Sequence, residues 1–387
     1  MQALNAKKRS RSKAQQPAAS PSRATARILI NWFHRHARDL PWRHTTDPYA
    51  VWVSEIMLQQ TQVRTVVPYW ERWMKILPDI ESLAAASPET IHKLWEGLGY
   101  YTRVRNLQSG AQAVLKQHGG VFPRTFEAII ELPGIGPYTA GAICSIAFNQ
   151  PVPILDGNVI RVLCRYFAID EPVSATATRG KLWNESCQLV LAAASLPAKT
   201  HPSLILAGNC STLNQSLMEL GATICKPRQP ECDRCPLKAN CAALISGMVD
   251  LLPNLEKRPR GTAKHFVAVV IEENGRFLIS RRPSGGVNAY FWEFPNLEAS
   301  ACARSPALMF KKSSGLALKN VQQVHTLRHS ITRYRITLKV YRADLISPFK
   351  AGPSSEWIWA SRAELHSLPF TAAHRKIIGQ LASPGES

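Results

Sequence analysis

The pattern of apolar and polar positions divides the chain into two stretches of different period. From residue 27 to about 248, apolar residues recur at helical spacing, as in Trp70, Trp73, Met74 and Leu77, or Ile129, Ile130 and Leu132. Pro41, Pro48, Pro78, Gly97, Gly99, Pro133, Gly134 and Gly136 punctuate this stretch, so it reads as helices joined by short turns, without strands. Residues 251–261 are polar and proline-bearing, the composition of a linker. Beyond them the period shortens to that of a strand. Residues 265–271 are β-rich, Asn274-Gly275 is a hairpin signal, and 277–280 supplies the return strand. Strands are also expected at 334–341 and 357–360, and helices at 361–368 and 372–381. The expected organisation is a basic arm over 1–24 read as disordered, an all-α domain over 25–248, a linker over 249–262 and a smaller α+β domain over 263–381.

Composition adds a partner class. The 387 residues are 45% hydrophobic, enough for packed cores, yet the formal net charge is +20. That excess favours a polyanion, nucleic acid before an anionic membrane. No apolar run reaches the roughly 18 residues that span a bilayer. The first 27 residues carry Lys7, Lys8, Arg9, Arg11, Lys13, Arg23 and Arg27, no acid, and no apolar core of a signal peptide. The expectation is a cytoplasmic monomer, nucleoid-associated if the source is bacterial, with no membrane partner. Nine cysteines in such a chain argue against a disulfide framework. Four of them, Cys225, Cys232, Cys235 and Cys241, follow C-x6-C-x2-C-x5-C. Four thiolates can hold a tetrahedral zinc or a [4Fe–4S] cluster. Only Cys232 and Cys235 form a paired knuckle, and Pro227, Pro230 and Pro236 stiffen the loop, so the spacing favours iron–sulfur and leaves zinc open.

The chemistry-bearing motifs lie upstream of that loop. In Leu132-Pro-Gly-Ile-Gly-Pro-Tyr-Thr-Ala140, Gly134 and Gly136 open backbone conformations closed to other residues, and Pro137 suits a first helical turn. The result reads as a helix–hairpin–helix whose amides could bind a DNA phosphate; an ordinary helix corner is the alternative. Asp156, in Leu155-Asp-Gly-Asn-Val159, stands at a helix start, where free N–H groups and the dipole favour an ionised carboxylate. Simple N-capping would explain it equally. Glu55 is the only charge in the apolar run Tyr49–Leu58; burial would hold it protonated near neutrality, whereas a surface position would leave it ordinary. One neutral and one ionised carboxyl suit acid-assisted glycosidic cleavage. The amides of Gln59-Gln60-Thr61-Gln62 can replace base-pair partners when a base is extruded. Gly97-Leu-Gly-Tyr-Tyr-Thr-Arg-Val-Arg105 offers an apolar and aromatic wedge with basic phosphate anchors beside it.

Together these residues resemble the helix–hairpin–helix glycosylase superfamily, and more closely the adenine DNA glycosylases of the MutY type. The likeness is dense over 27–248 and loose over 262–380. It is carried by Pro41-Trp-Arg43, Trp52-Val-Ser-Glu-Ile-Met-Leu-Gln-Gln-Thr-Gln-Val63, Trp95-Glu-Gly-Leu-Gly-Tyr-Tyr101, the hairpin, the Asp156 motif and the cysteine loop. The resemblance implies a [4Fe–4S] cluster on the four cysteines and, as substrate, duplex DNA with adenine opposite 8-oxoguanine or guanine. It implies Glu55 as general acid on adenine N7, Asp156 as the carboxylate that stabilises the sugar cation, and Tyr138 as a catalytic-pocket tyrosine. Related bifunctional enzymes carry a Schiff-base lysine where Tyr138 stands, so base excision without an efficient lyase step is implied. Trp42, Arg43, Leu58 and Gln215 would line the adenine pocket, Gln215 replacing an acid often found there. Gln60, Thr61, Leu98 and Tyr100 would fill the duplex gap, and Gly134, Gly136 and Asn158 would add DNA contacts. The second domain resembles the family's Nudix-like lesion reader through Trp292-Glu-Phe-Pro295 and Leu327–Tyr334. Its usual Phe-Ser-His tip is Ile331-Thr332-Arg333, which keeps only a hydroxyl at Thr332. Glu293 and Glu298 lack the acidic cluster that Nudix hydrolysis needs for Mg²⁺.

Overall fold

The computed structural model describes residues 23–256, 261–283, 288–300, 305–331, 333–349 and 356–381. The expected basic arm up to residue 22, and Thr332, lie outside the described residues. Among the described residues, twelve α-helices precede the first strand: α1 (Arg23–His36), α2 (Pro48–Leu58), α3 (Val63–Ile76), α4 (Ile80–Ala85), α5 (Pro88–Trp95), α6 (Thr102–His118), α7 (Phe126–Ile130), α8 (Pro137–Phe148), α9 (Gly157–Phe167), α10 (Thr176–Ala194), α11 (Asn209–Thr223) and α12 (Ala242–Ile245). Strands β1 (Thr262–Glu273), β2 (Arg276–Arg281), β3 (Trp292–Glu293) and β4 (Asn296–Ala299) follow. Then come α13 (Pro306–Ser314), β5 (Leu318–Ile331), β6 (Tyr334–Leu345), β7 (Trp357–Ser361), α14 (Arg362–Ser367) and α15 (Ala372–Gln380). The chain packs as two compact units, Met1–Asp39 with Gly141–Leu255, and Leu40–Ala140 with Glu256–Ser387.

In the first unit α11 is buried on nearly every side, from Asn209 through Gly221. Its one acid, Glu219, is 1% exposed and held by Arg38, whose Nε and Nη2 reach the two carboxylate oxygens at 2.7 and 2.8 Å. A charge so deep is tolerable only when paired in this way. Gly221 lets α11 close on α9, because a Cβ there would stand 2.9 Å from Asn158 Cα.

The second unit is built around α2. Asp47 caps it by accepting from the amides of Tyr49 and Ala50, and Pro48 takes the first turn, where no N–H is needed. Tyr49 through Met57 are all buried. Trp70 donates through Nε1 to the Ala50 carbonyl at 3.1 Å, and Trp73 to the Tyr49 hydroxyl at 3.0 Å, so both buried indole N–H groups are satisfied. At the turn before α8, Gly134 has φ +78°, and an added Cβ would meet Asn106 Cβ at 2.5 Å. Gly136 differs from expectation: its φ is ordinary and a Cβ would meet nothing within 4 Å. Of these two, Gly134 is the one the backbone requires.

Residues 262–381 form an α+β fold around β1. It pairs antiparallel with β2 and β4 and parallel with β6, which pairs with β5; β3 and β7 flank β2. Asn274 and Gly275 both have positive φ, the two-residue hairpin that their sequence demands. Alternate residues of β1 face opposite cores: Ala268 and Val270 meet Phe294, Phe370 and Ile377, while Val267 and Val269 meet Phe310 and Leu316. The pattern missed β3, β4, β5 and α13. Gln322, Gln323, His325, Thr326, Arg328 and His329 leave β5 little apolar alternation, and its partner β6 holds it in register.

This sheet domain packs on α5 and α6. Arg375 Nε donates to Glu96 at 2.6 Å, the Phe370 amide donates to the same Glu96 oxygen, and Lys93 donates to the His366 carbonyl. Tyr101 lies 4.0 Å from Phe291, centroid to centroid, and His92 5.0 Å from it. Burial pushes His92 down to about 4 and His374 down to about 3.

Two predictions follow from this packing. Gly134→Ala is expected to cost about 1–3 kcal/mol in urea unfolding, the range for a forced left-handed residue, and Gly136→Ala no more than about 0.5 kcal/mol. Because His92 and His374 titrate lower folded than unfolded, their contribution is complete above about pH 6.5 and is lost as pH falls toward 4. Each contributes up to about 1.4 kcal/mol per pH unit across that window. Thermal melts between pH 7 and 4.5 should show the fall, and His92→Phe should make it shallower.

Candidate active site

Glu55 sits in the buried middle of α2 and is 5% exposed. Tyr138, at the start of α8, donates its hydroxyl to Glu55 Oε2 at 2.6 Å. Two residues singled out far apart in sequence are thus brought together, one on a helix with no polar face and one on the helix that leaves the hairpin. Beside them Gln59 Nε2 is 3.5 Å from the hydroxyl of Thr139. A cavity of 110 Å³ opens at the end of α2, bounded among others by Trp52, Ile56, Gln59, Asn106 and Gly134.

Asp156, in the first unit, is the N-cap of α9. It accepts from the Val159 amide at 2.7 Å, the Asn158 amide at 3.0 Å and the Asn158 side chain at 2.9 Å. The amides at the helix start do favour the ionised carboxylate, as expected, but burial acts against them. Burial pushes Asp156 above the ordinary aspartate value, against the opposing pull of Val159, Asn158 and Arg161. The donors hold the charge; removal from water is the larger effect.

The remaining pocket candidates distribute as follows. Trp42 and Arg43 are buried in the short 3-10 turn Pro41–Arg43, with Trp42 edge-on to Trp70 at 6.1 Å. Leu58 ends α2, half-buried. Gln215 is buried on α11 in the first unit and donates to Ser211 Oγ at 3.1 Å. Gln60 is exposed and left-handed at φ 56°, Thr61 half-buried, and Tyr100 43% exposed and left-handed at φ 49°. Leu98 departs from its expected place at an apolar tip: it is 5% exposed, folded into the core, and leaves Tyr100 as the projecting ring. Arg103 also departs. Expected as a phosphate anchor, it is turned inward onto the carbonyls of Ile56, Met57, Gln59, Leu98 and Gly99.

The four cysteines lie beyond α11, and α9 anchors them. Arg161 Nε donates to the Cys225 carbonyl at 2.6 Å, while Arg165 Nη1 reaches Cys225 Sγ at 3.3 Å and the Lys226 carbonyl at 2.9 Å. Sequence reasoning missed both arginines, although their i,i+4 spacing on an apolar helix marks one shared face. Burial first, and then the neighbouring thiols, push Cys232, Cys235 and Cys241 above the ordinary thiol value, so the sulfurs share one neighbourhood. Among the described residues no three His, Cys, Asp or Glu side chains form a ready group for a metal ion. By donor chemistry, four soft sulfurs in one neighbourhood fit an iron–sulfur cluster. In the sheet domain Glu293 is engaged by Arg282 at 2.6 Å and Glu298 by Lys264 at 2.9 Å. No helix among the described residues is long and apolar enough to cross a membrane.

Comparison with known proteins adds a family to this geometry. Residues 53–186 match the HhH-GPD superfamily of base excision DNA repair proteins, and residues 266–380 match the NUDIX domain. The chain is 34% identical to the adenine DNA glycosylase of Homo sapiens, covering 90% of this chain and 72% of that protein. It is 36% identical to the adenine DNA glycosylase of Mus musculus, over 85% and 73%. Among solved structures, a thermostable thymine-DNA glycosylase is 28% identical with a TM-score of 0.49, covering 58% of this chain and 96% of that one. On identity sustained over most of both lengths, the chain belongs to the adenine DNA glycosylase family, whose helical part is of the HhH-GPD superfamily and is followed here by a NUDIX domain.

Proposed function

We propose that this base-excision glycosylase hydrolyses the N-glycosidic bond of adenine mispaired with 8-oxoguanine or guanine in duplex DNA. The observation that carries the reading is the buried Glu55 carboxyl with the Tyr138 hydroxyl donated to it. A carboxyl enclosed on an apolar helix can deliver a proton to an extruded base without competition from water. Glu55 protonates adenine N7, which turns the base into a neutral leaving group. Tyr138 fixes the orientation of the acid. Asp156 faces the positive charge that develops on the sugar, and its three donors keep the carboxylate in place. Water then attacks the sugar, and Glu55 accepts the proton that this releases. With Tyr138 in the hairpin instead of a lysine, no side chain there forms a Schiff base, so strand cleavage is not part of the reaction.

Trp42, Arg43, Leu58 and Gln215 line the base pocket in this reading, and Gln60, Thr61 and Tyr100 meet the strand left behind. Leu98 supports that edge from within. The Gly136 amide, with open space around its α-carbon, suits close approach of a phosphate, with Gly134 shaping the turn and Asn158 assisting. Cys225, Cys232, Cys235 and Cys241 hold a [4Fe–4S] cluster, which when bound supplies structural cross-linking of a basic loop. Thr332 and the NUDIX domain take the opposite base.

Base release from duplexes with adenine opposite 8-oxoguanine, guanine or thymine tests the reading. Release should be fast from the first two and negligible from the third; equal release from all three would sink mismatch specificity. Glu55→Gln is expected to abolish release while duplex binding persists, Asp156→Asn to lose at least about a hundredfold, and Tyr138→Phe about ten- to a hundredfold, in single-turnover assays. For the cysteine loop, purified protein should be brown with visible charge-transfer absorption that Cys232→Ser removes. A colourless protein containing zinc would overturn the cluster and leave the glycosylase reading standing.

A further inference from the structure

Arg103 lies in the first turn of α6 but serves two other segments. Its Nη1 donates to the carbonyls of Ile56, Met57 and Gln59 at 2.8, 3.1 and 2.6 Å. Its Nη2 donates to the carbonyls of Leu98 and Gly99 at 3.0 and 3.1 Å and to Thr61 Oγ1 at 3.4 Å. The first set closes the end of α2 and the start of the amide-rich turn; the second closes the glycine turn and reaches back to Thr61 of the amide-rich turn. A helix leaves its last carbonyls without partners, and α2 has no basic residue in its last turn. The Arg103 cation takes that place from another helix, at the end of the dipole that favours positive charge. Its guanidinium carbon also lies 5.3 Å from the Trp95 ring centroid and 5.5 Å from that of Tyr100. Burial lowers its pKa to about 10, so it remains a cation near neutrality.

Each turn ends in a side chain held in the left-handed region, Gln60 in one and Tyr100 in the other. Such conformations persist in residues other than glycine only when the surroundings over-determine them. Both turns hang on a single planar group whose two terminal nitrogens together span the two segments, Nη2 alone touching both. A lysine has one compact ammonium and cannot span the two sets of carbonyls.

We infer that Arg103 is a positioning residue for mispair recognition, locking the 59–61 turn and the 97–100 turn into one edge so that Gln60 and Tyr100 meet the duplex at fixed separation. This rests on the reading above that Gln60 and Tyr100 contact DNA. It differs from a phosphate anchor, because both terminal nitrogens of the guanidinium are engaged by protein carbonyls and the Thr61 hydroxyl, and Nε is buried. A lost phosphate contact lowers the slope of log Kd against log salt by about one, whereas lost positioning leaves that slope alone.

The test uses full-length protein carrying Arg103→Lys, Tyr100→Ala, Gln60→Ala, or Arg103→Lys with Tyr100→Ala. Kd is measured as a function of salt on duplexes with adenine opposite 8-oxoguanine and opposite thymine. Arg103→Lys is expected to reduce the preference for the lesion duplex by roughly tenfold or more, with the salt slope kept and the loss falling mainly on affinity. Combined with Tyr100→Ala it should cost far less than the sum of the two changes, because both act through one edge. An unaltered preference in Arg103→Lys beside a lost one in Tyr100→Ala would overturn the role. So would strict additivity, or a slope reduced by one charge. If Tyr100→Ala and Gln60→Ala both keep the preference, the contact reading itself fails, and this proposal with it. Should Arg103→Lys not fold, hydrogen exchange on the unaltered protein decides. Residues 58–62 and 97–101 should gain protection together on the lesion duplex, and protection of one turn without the other would refute the coupling.

Discussion

Helix α2 is buried on every side from Tyr49 to Met57, and that constraint orders the rest of the second unit. A helix without a polar face has to be enclosed by its neighbours, which is why Trp70 and Trp73 of α3 lie against it and both hydrogen-bond into it. Enclosure has two costs. The only carboxyl on the helix, Glu55, is taken from water, and the carbonyls at its end must find donors inside the protein. Tyr138 answers the first and Arg103 the second. The chemical and the recognition elements of the proposed site therefore stem from one packing decision, made by a run of apolar residues.

Much of this was legible in the residues. The lone acid in an apolar run, the Leu132–Ala140 hairpin, the N-cap at Asp156 and the Asn274-Gly275 turn each state their local geometry, because each depends on near neighbours in sequence. What stayed hidden depends on distant partners. A basic residue beside an aromatic turn looks like a phosphate anchor, and nothing local reveals that Arg103 faces carbonyls more than forty residues upstream. Leu98 looks like a wedge until the fold turns it inward. Gly134 and Gly136 look equivalent, and only the approach of Asn106 separates them. The polar strand β5 exists because β6 pairs with it, a reason that its own residues do not contain.

The first unit follows the same rule with different groups. Arg161 and Arg165 on α9 reach across to the backbone around Cys225, and Arg165 also holds the carbonyls of Val249 and Leu252. Asp156 begins that helix. The cysteine loop is thus fastened to the element whose N-cap is the carboxylate, by one buried and one half-buried arginine acting on main-chain oxygens rather than by surface ion pairs, which contribute little.

Glu96 carries a consequence of its own. It closes α5 immediately before the 97–100 turn; one carboxylate oxygen accepts from Arg375 Nε and the Phe370 amide, and the other from Lys93 of its own helix at 2.9 Å. The sheet domain therefore masks a negative charge at the root of the edge proposed to meet DNA. Exchanging that domain for another, or cutting it away at the linker, would leave this acid to the half-exposed Lys93 ammonium alone, beside a polyanion. In the language of protein assembly, the NUDIX domain is a counterion as well as a module, and natural or engineered shuffling of domains in this chain has to carry Arg375 along with the fold.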